Sequence, residues 1–130
     1  LFGDQQPPVL LSEHQRVEQA HVINDFVKQI LAVDPYAYVV VLGDLNDFQW
    51  SAPILKLQES ALGNLITLLP EHDRYTYNHE GNAQTLDHIL ASLSFLSQLS
   101  HFDVIHINSE ALPNVRVSDH DPVYAVFRFD

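Results

Sequence analysis

The clearest pattern of hydrophobic and polar positions is in residues 38–46, YVVVLGDLN. The first five of these residues are apolar and mostly β-branched, which is typical of a strand buried on both faces. The run stops at Gly43, and Asp44 and Asn46 follow directly. Ligands of α/β sheets bind beyond the C-terminal ends of strands, so Asp44 and Asn46 are candidate site residues. A turn or a helix cap explains the same two residues without a ligand.

A long helix is predicted before this strand, starting at Ser12. Apolar residues recur there at helical spacing and form one stripe. The stripe consists of Val17, Ala20, Ile23, Phe26, Val27, Ile30 and Leu31. Asp34-Pro35 ends the helix. Residues 1–11, which contain Gly3 and two consecutive prolines, are expected to be an irregular lead-in.

Shorter helices and strands alternate after Asn46. The pattern predicts helices over 51–59 and 93–99, and strands over 74–77, 85–91, 102–107 and 122–129. No repeat, low-complexity tract or linker interrupts this order. The chain is therefore expected to be one folding unit of the α/β (α+β) class, with one mixed β-sheet that carries helices on one face.

Charge and composition narrow the classes of function. The 130 residues include 17 acidic and 6 basic ones, which gives a formal net charge of −11. Broad, non-specific nucleic-acid binding needs a basic surface, and the charge argues against it. A metal-dependent phosphodiesterase stays open, because a bound divalent cation inverts the local charge of its site. The chain has no cysteine, which excludes disulfides and thiolate zinc sites, and no apolar run reaches the ~18 residues of a membrane span.

The segment Ser118-Asp119-His120-Asp121-Pro122 is the most specific chemical signal. Three consecutive ionisable groups before a β-like run are costly to bury unless they bind something. A histidine that a carboxylate orients can act as an acid or a base near neutral pH. A polar loop with an Asp-Pro turn is the alternative. A Ser/His/Asp hydrolase is disfavoured, because the chain has no G-x-S-x-G motif and adjacent residues cannot form a triad with one another.

Asp87 is a third candidate, because it interrupts the predicted strand 85–91. It lies on the strand face of Thr85 and Ile89, where a carboxylate needs a partner such as a histidine. His88 falls on the opposite, apolar face and is expected to be a hydrogen-bonded core residue.

Three further polar residues give weaker signals. Arg74 lies between acidic and aromatic residues and is a candidate for binding an anion, although an ordinary surface arginine on an aromatic strand explains it as well. His101 and His106 have no companions at the spacing of zinc ligands.

Together, GDLND, then RYTY and TLDHIL, then SDHDPV, each near a strand end, resemble the motifs of the endonuclease/exonuclease/phosphatase superfamily. The superfamily has the DNase I-like fold, and the chain looks most like its bacterial secreted nucleases. The resemblance covers essentially the whole chain. It implies a two-sheet sandwich with outer helices, of which residues 1–130 are the C-terminal half.

The resemblance also implies roles for single residues. Asp44 and Asn46 match residues that contact the attacking water, the metal and the scissile phosphate, and Asp87 matches the aspartate that orients the catalytic histidine. Asp119 and His120 match a metal-site carboxylate and that histidine. The implied catalytic set is Asp44, Asn46, Asp87 and His120, the implied metal ligands are Asp44 and Asp119, and the implied substrate contacts are Asn46 and Arg74. The implied reaction is phosphodiester hydrolysis with Mg²⁺ or Mn²⁺.

The first half of the family domain, with its Asn, its metal-binding Glu and its central His or Tyr, has no counterpart in this chain. We therefore expect nucleic acid to be bound through the complete domain, and the isolated chain to be nearly inactive. We also expect it to form a homodimer through a bare sheet face. Whether it retains the metal ion is open. The resemblance implies an extracellular or periplasmic location. A phospholipid or inositol-phosphate phosphoesterase, or a non-catalytic interaction module, is the alternative function.

Overall fold

Helices and strands alternate along residues 12–129, the part of the chain that the computed structural model describes. The helices are α1 (Glu13–Val33), α2 (Ala52–Gln58) and α3 (Leu93–Leu96). The strands are β1 (Val40–Asp44), β2 (Leu62–Asn64), β3 (Tyr77–His79), β4 (Asn82–Gln84), β5 (Asp87–Ser92), β6 (Leu99–Val104) and β7 (Val123–Phe127). The lead-in predicted for residues 1–11 lies outside the described residues.

The strands form three small antiparallel sheets, with the orders β1-β5-β2, β3-β4 and β6-β7. The α/β class is confirmed, but the strands are divided among these sheets instead of forming one mixed sheet. Strands β3 and β4 form one two-stranded ribbon, and β6 and β7 form another. In β3-β4 the two loop residues, Glu80 and Gly81, both have positive φ, as a tight two-residue hairpin turn requires.

Strand β5 is the centre of the packing, because side chains cover both of its faces. Leu90 faces the helices, and its buried cluster is Ala20, Val27, Leu57, Leu62 and Leu90. Ile89 and Ala91 face the β6-β7 sheet, and their buried cluster is Leu65, Ile66, Ile89, Ala91, Phe102 and Val104. The fold is therefore layered: α1 and α2 lie on one face of the β1-β5-β2 sheet, and β6-β7 lies against the other.

Helix α1 confirms the predicted helix, but its buried face is narrower than the predicted stripe. Ala20, Asn24 and Val27 are its buried residues, whereas Phe26 is 62 % exposed. The polar Asn24 is therefore buried at the centre of this face, although the apolar pattern did not include it. Within residues 12–129, none of the helices combines the length and the apolar character that a membrane span requires.

Strand β1 is not buried on both faces, which makes that prediction wrong. It lies at the edge of its sheet, with Val40 40 % and Leu42 62 % exposed. Leu42 is the register partner of Ile89 and lies on the same face, but β6-β7 covers Ile89 and leaves Leu42 open. The result is a mostly apolar groove of about 490 Å³ between β1, β5 and β7.

Leu90→Ala should strongly destabilise the chain. The Leu90 side chain is fully buried between β5 and the helices. A Leu→Ala change at such a site lowers the free energy of unfolding by about 2–5 kcal/mol, because apolar burial is lost and a cavity is left behind. Urea unfolding would measure the loss. Leu93→Ala, at a side chain 67 % exposed, is the matched control and should cost less than about 1 kcal/mol. Equal losses in the two variants would contradict the assignment of β5 as the centre of the core.

Candidate active site

The chain turns sharply at the end of β1 because of two unusual backbone conformations. Gly43 has φ +142°, a value that L side chains rarely adopt, and a Cβ there would meet nothing within 4 Å. The backbone angle, not space, therefore calls for glycine. Asn46 has φ +52°, in the left-handed region that asparagine tolerates. Its backbone N–H donates to Asp44 Oδ1 at 3.0 Å, and its side-chain Nδ2 donates to Asp44 Oδ2 at 3.2 Å.

The pairing of β1 with β5 sets Asp44 directly opposite Asp87. The two are register partners at the end of β1 and the start of β5. The ladder continues one residue further, where the Leu45 N–H donates to the Leu86 carbonyl at 2.9 Å. Partners in an antiparallel pair share a face of the sheet, so both carboxylates lie on one side.

The carboxylate of Asp87 is fixed by two donors on one oxygen. His120 Nδ1 lies 2.6 Å from Asp87 Oδ2, and Thr76 Oγ1 donates to the same oxygen at 2.7 Å. Thr76 is fully buried, and its hydroxyl accepts from the backbone N–H groups of Leu86 and Asp87, each at 3.1 Å. The aspartate–histidine contact expected for Asp87 is thus present in the structure.

The segment that carries His120 is hydrogen-bonded to Thr76 and to the start of β3. His120 forms an isolated antiparallel bridge with Tyr77, and the Asp121 N–H donates to the Thr76 carbonyl at 2.7 Å. The Tyr77 and His120 ring centroids are 4.8 Å apart at an interplanar angle of 41°. Since Thr76 also contacts Asp87, one residue ties the histidine segment and the aspartate together.

Asp44, Asp87 and His120 form one cluster, in which a ligand atom of each lies within 4.8 Å of the others. His120 Nε2 is 3.9 Å from Asp44 Oδ2, on the ring edge opposite Asp87. Burial alone would lower the pKa of His120. The hydrogen bond to Asp87 and the negative charges of Asp87, Asp44 and Asp119 outweigh burial and raise that pKa above its ordinary value.

The other three predicted site residues, Asn46, Asp119 and Arg74, are not members of this cluster. Asn46 is held against Asp44, as described above. Asp119 is exposed beside His120 and contributes its charge there, but it is not a member of the three-residue cluster. Arg74 donates from Nε to the Leu69 carbonyl at 2.8 Å and from Nη2 to the Thr67 carbonyl at 3.0 Å, so part of its guanidinium is committed to the backbone.

His88 is a hydrogen-bonded core residue, as predicted. It is 1 % exposed; its Nε2 donates to the Asp47 carbonyl at 2.8 Å and its Nδ1 accepts from Asn64 Nδ2 at 3.0 Å. Burial lowers its pKa, which agrees with this neutral form. Asp47 also bonds to Arg16 of α1, and the segment after Asn46 is therefore anchored from two sides.

Two contributors to the site region were missed from the sequence. Thr76 lies within RYTY, where nothing distinguishes it from an ordinary strand threonine. His106, whose sequence neighbours indicated no zinc site, lies between Asp73 and Asp121. Its partners are 33 and 15 residues away along the chain, a separation that no local pattern encodes.

Comparison with known proteins identifies the family to which this sequence belongs. The sequence pattern of the endonuclease/exonuclease/phosphatase family matches residues 7–120. No curated protein sequence matches the chain.

Two solved structures show the same fold. One is an AP endonuclease from Archaeoglobus fulgidus, with a TM-score of 0.70 and 16% identity over 92% of this chain and 56% of that one. The other is the 3′-5′ exonuclease NExo from Neisseria meningitidis, with a TM-score of 0.66 and 23% identity over 86% of this chain and 53% of that one. The chain thus spans about half the length of these relatives. Since the family pattern covers most of the sequence, this chain belongs to the endonuclease/exonuclease/phosphatase family, with a DNase I-like fold.

Proposed function

We propose that this chain is the C-terminal half of a nuclease domain that hydrolyses phosphodiester bonds with the help of Mg²⁺ or Mn²⁺. The observation that carries the proposal is the Asp87–His120 pair facing Asp44 in a member of this family. Family membership and the two nuclease folds support phosphodiester hydrolysis as the general reaction. Because both of those structures are nucleases, nucleic acid is favoured over phospholipid or inositol phosphate as the substrate.

The donor atoms of the cluster fit a hard divalent cation. Mg²⁺ and Mn²⁺ prefer oxygen ligands, and Asp44 offers an exposed carboxylate with the Asn46 amide beside it. His120 Nδ1 is already committed to Asp87, so the oxygens are the better ligands. We propose that Asp44 and Asp119 would hold the ion. When bound, it would polarise the phosphoryl oxygens and neutralise part of the local negative charge.

The residues of this chain would orient the phosphate and supply a proton. Asp87 accepts from His120 Nδ1, which fixes the ring and leaves Nε2 as the group that meets the substrate. The raised pKa of His120 favours its charged form, which donates a hydrogen bond to a phosphate oxygen. Asn46 and the free N–H groups of Arg74 are the proposed further phosphate contacts.

The remaining half of the domain would complete the site. The chain covers 56% and 53% of two single chains of the same fold, and the family resemblance assigns one more metal-binding carboxylate to the half without a counterpart here. We propose that the isolated chain is therefore nearly inactive. An extracellular or periplasmic location rests on the resemblance to secreted nucleases.

Mg²⁺-dependent cleavage of plasmid DNA or RNA should appear only with the longer protein that contains this chain. In that protein His120→Ala should lower the rate by about 10²–10⁴-fold, the usual contribution of one general acid or base. His101→Ala, at an exposed histidine that bonds Tyr124, is the matched control and should retain activity. Cleavage by the pure 130-residue chain, abolished by His120→Ala, would overturn the proposed inactivity. Cleavage of phospholipid but not nucleic acid would overturn the proposed substrate.

The stability contributed by His120 should fall as the pH rises. Its folded pKa is raised above the ordinary value of about 6.5, so the charged pair with Asp87 stabilises the fold fully below that pH. The contribution is lost as the pH rises through the folded pKa. The difference in unfolding free energy between the wild-type chain and His120→Gln, measured in urea without metal, should therefore shrink towards alkaline pH. In an Asp87→Asn background the same substitution should show a weaker pH dependence, and a difference that grows with pH would contradict the charged pair.

The groove between β1, β5 and β7 is the proposed packing surface for the rest of the domain. Val40, Leu42 and Phe127 line it with apolar surface, and Asp87 lies at one end. An uncovered apolar groove of this kind favours association. In the isolated chain we propose that a second copy covers it.

The isolated chain should therefore sediment as a dimer at micromolar concentration. Leu42→Glu, which places a charge on the groove face, should shift the chain to a monomer. Val22→Glu, at an exposed position 71 % accessible on α1, is the matched control and should leave the dimer intact. A wild-type chain that stays monomeric at high concentration would exclude the proposed self-association.

A further inference from the structure

A second histidine, His106, is held between two carboxylates outside the cluster described above. Its Nδ1 lies 3.0 Å from Asp121 Oδ2, and its Nε2 lies 3.1 Å from Asp73 Oδ1. The side chain is 15 % exposed, and the Tyr75 ring stacks on it with a centroid distance of 4.0 Å and an interplanar angle of 14°. We propose that His106 is a positioning residue, which holds the peptide of His120 and Asp121 in place through Asp121.

The contacts on Asp121 connect His106 to that peptide. The Asp121 carboxylate is buried, and Oδ1 accepts from the backbone N–H groups of Asn108 at 2.8 Å and Ser109 at 2.9 Å. Oδ2 faces both His106 and the Ser109 hydroxyl. The Asn108 side chain in turn donates to the His120 carbonyl at 2.7 Å. The peptide between His120 and Asp121 is thus bound from this side, while the Thr76 carbonyl binds the Asp121 N–H from the other.

The geometry at His106 requires a charged imidazole. A neutral ring has one N–H donor and one lone pair, and it could satisfy only one of the two carboxylates. An imidazolium donates to both Asp73 and Asp121 and neutralises part of their charge. Burial lowers the pKa of His106, but the hydrogen bonds to Asp121 and Asp73 outweigh it and raise that pKa. The stacked Tyr75 ring adds a favourable cation–π contact.

Tyr75 is fixed in turn at its hydroxyl, which donates to Glu110 Oε1 at 2.6 Å. This hydrogen bond raises the pKa of Tyr75 to about 12 and keeps the hydroxyl protonated. The network therefore extends from Glu110 through the stacked rings to Asp121 and the His120 peptide. The network reaches Asp87 through two residues, Thr76 and His120, so His106 acts on position and not on the reacting atoms.

Two substitutions at His106 separate positioning from general packing. Asparagine places its Nδ2 near the position of the histidine Nδ1 and can still donate to Asp121, whereas glutamine reaches towards Asp73 and loses Asp121. In the 130-residue chain, amide hydrogen exchange of Asp121 measured by NMR should speed up about 10-fold in His106→Gln, as expected for the loss of one charged hydrogen bond. The Nδ1–H signal of His120 should broaden or shift in the same variant. His106→Asn should rescue both observables to within about 3-fold of the wild type.

His101→Gln is the matched control, since His101 lies on β6 and its Nε2 contacts Tyr124 at 2.7 Å, away from Asp121. It should change neither observable. Unchanged signals in His106→Gln would overturn the proposal, and so would equal changes in His106→Gln and His106→Asn. If His106→Gln does not fold, Asp73→Ala removes the outer acceptor at a side chain 42 % exposed. It must then speed Asp121 exchange in the same direction, and no change would overturn the proposal.

The consequence for catalysis rests on the proposed nuclease function. In the longer protein, His106→Gln should lower kcat about 10-fold with little change in KM, and His106→Asn should restore kcat. A protein without nuclease activity would contradict the proposed function but not the exchange result. An active protein in which His106→Gln has normal kcat would overturn the catalytic part of the positioning role.

Discussion

The antiparallel register between β1 and β5 is the constraint on which the site depends. It places Asp44 opposite Asp87, and a shift of one residue would send the two carboxylates to opposite faces of the sheet. The register is itself held by packing, because both faces of β5 are covered by apolar side chains. The helices and the β6-β7 sheet therefore support the site indirectly, by fixing one strand.

Thr76 joins the β1-β5 pair to the segment that carries His120. Its hydroxyl orients Asp87, and its carbonyl accepts from Asp121, one residue after His120. A fully buried threonine that makes all these contacts couples the aspartate to the histidine more closely than their 33-residue separation suggests. The same residue links the site to the His106 network, which holds the histidine segment from outside.

Two histidines, His120 and His106, contact carboxylates and offset part of the negative charge near the site. The formal net charge of the chain is −11, and four aspartates, Asp44, Asp87, Asp119 and Asp121, lie near these two histidines. Burial lowers the pKa of His120 and of His106, but the carboxylates that face them outweigh burial and raise both pKa values. These carboxylates are Asp87, Asp44 and Asp119 for His120, and Asp121 and Asp73 for His106. The Asp121 pKa is lowered: burial raises it, but the hydrogen bonds from Ser109, His106 and Asn108 outweigh burial. A divalent cation at Asp44 would continue the same compensation at the open end of the site.

The sequence by itself determined most of the local elements and predicted a set of site residues, of which Asp44, Asp87 and His120 meet in the structure. Helical spacing indicated α1, the alternating pattern placed Asp87 on one face of its strand, and the three ordered motifs identified the family that the comparison confirms. These features are local, because spacing along the chain sets which side chains share a face. Tertiary structure alone decided that Leu42 is exposed, that the strands form three sheets, and that Thr76 and His106 contribute to the site region. The physical reason is that burial and hydrogen-bond partners depend on which distant segment packs against a residue. A run such as YVVVL has the same composition whether or not another sheet covers it.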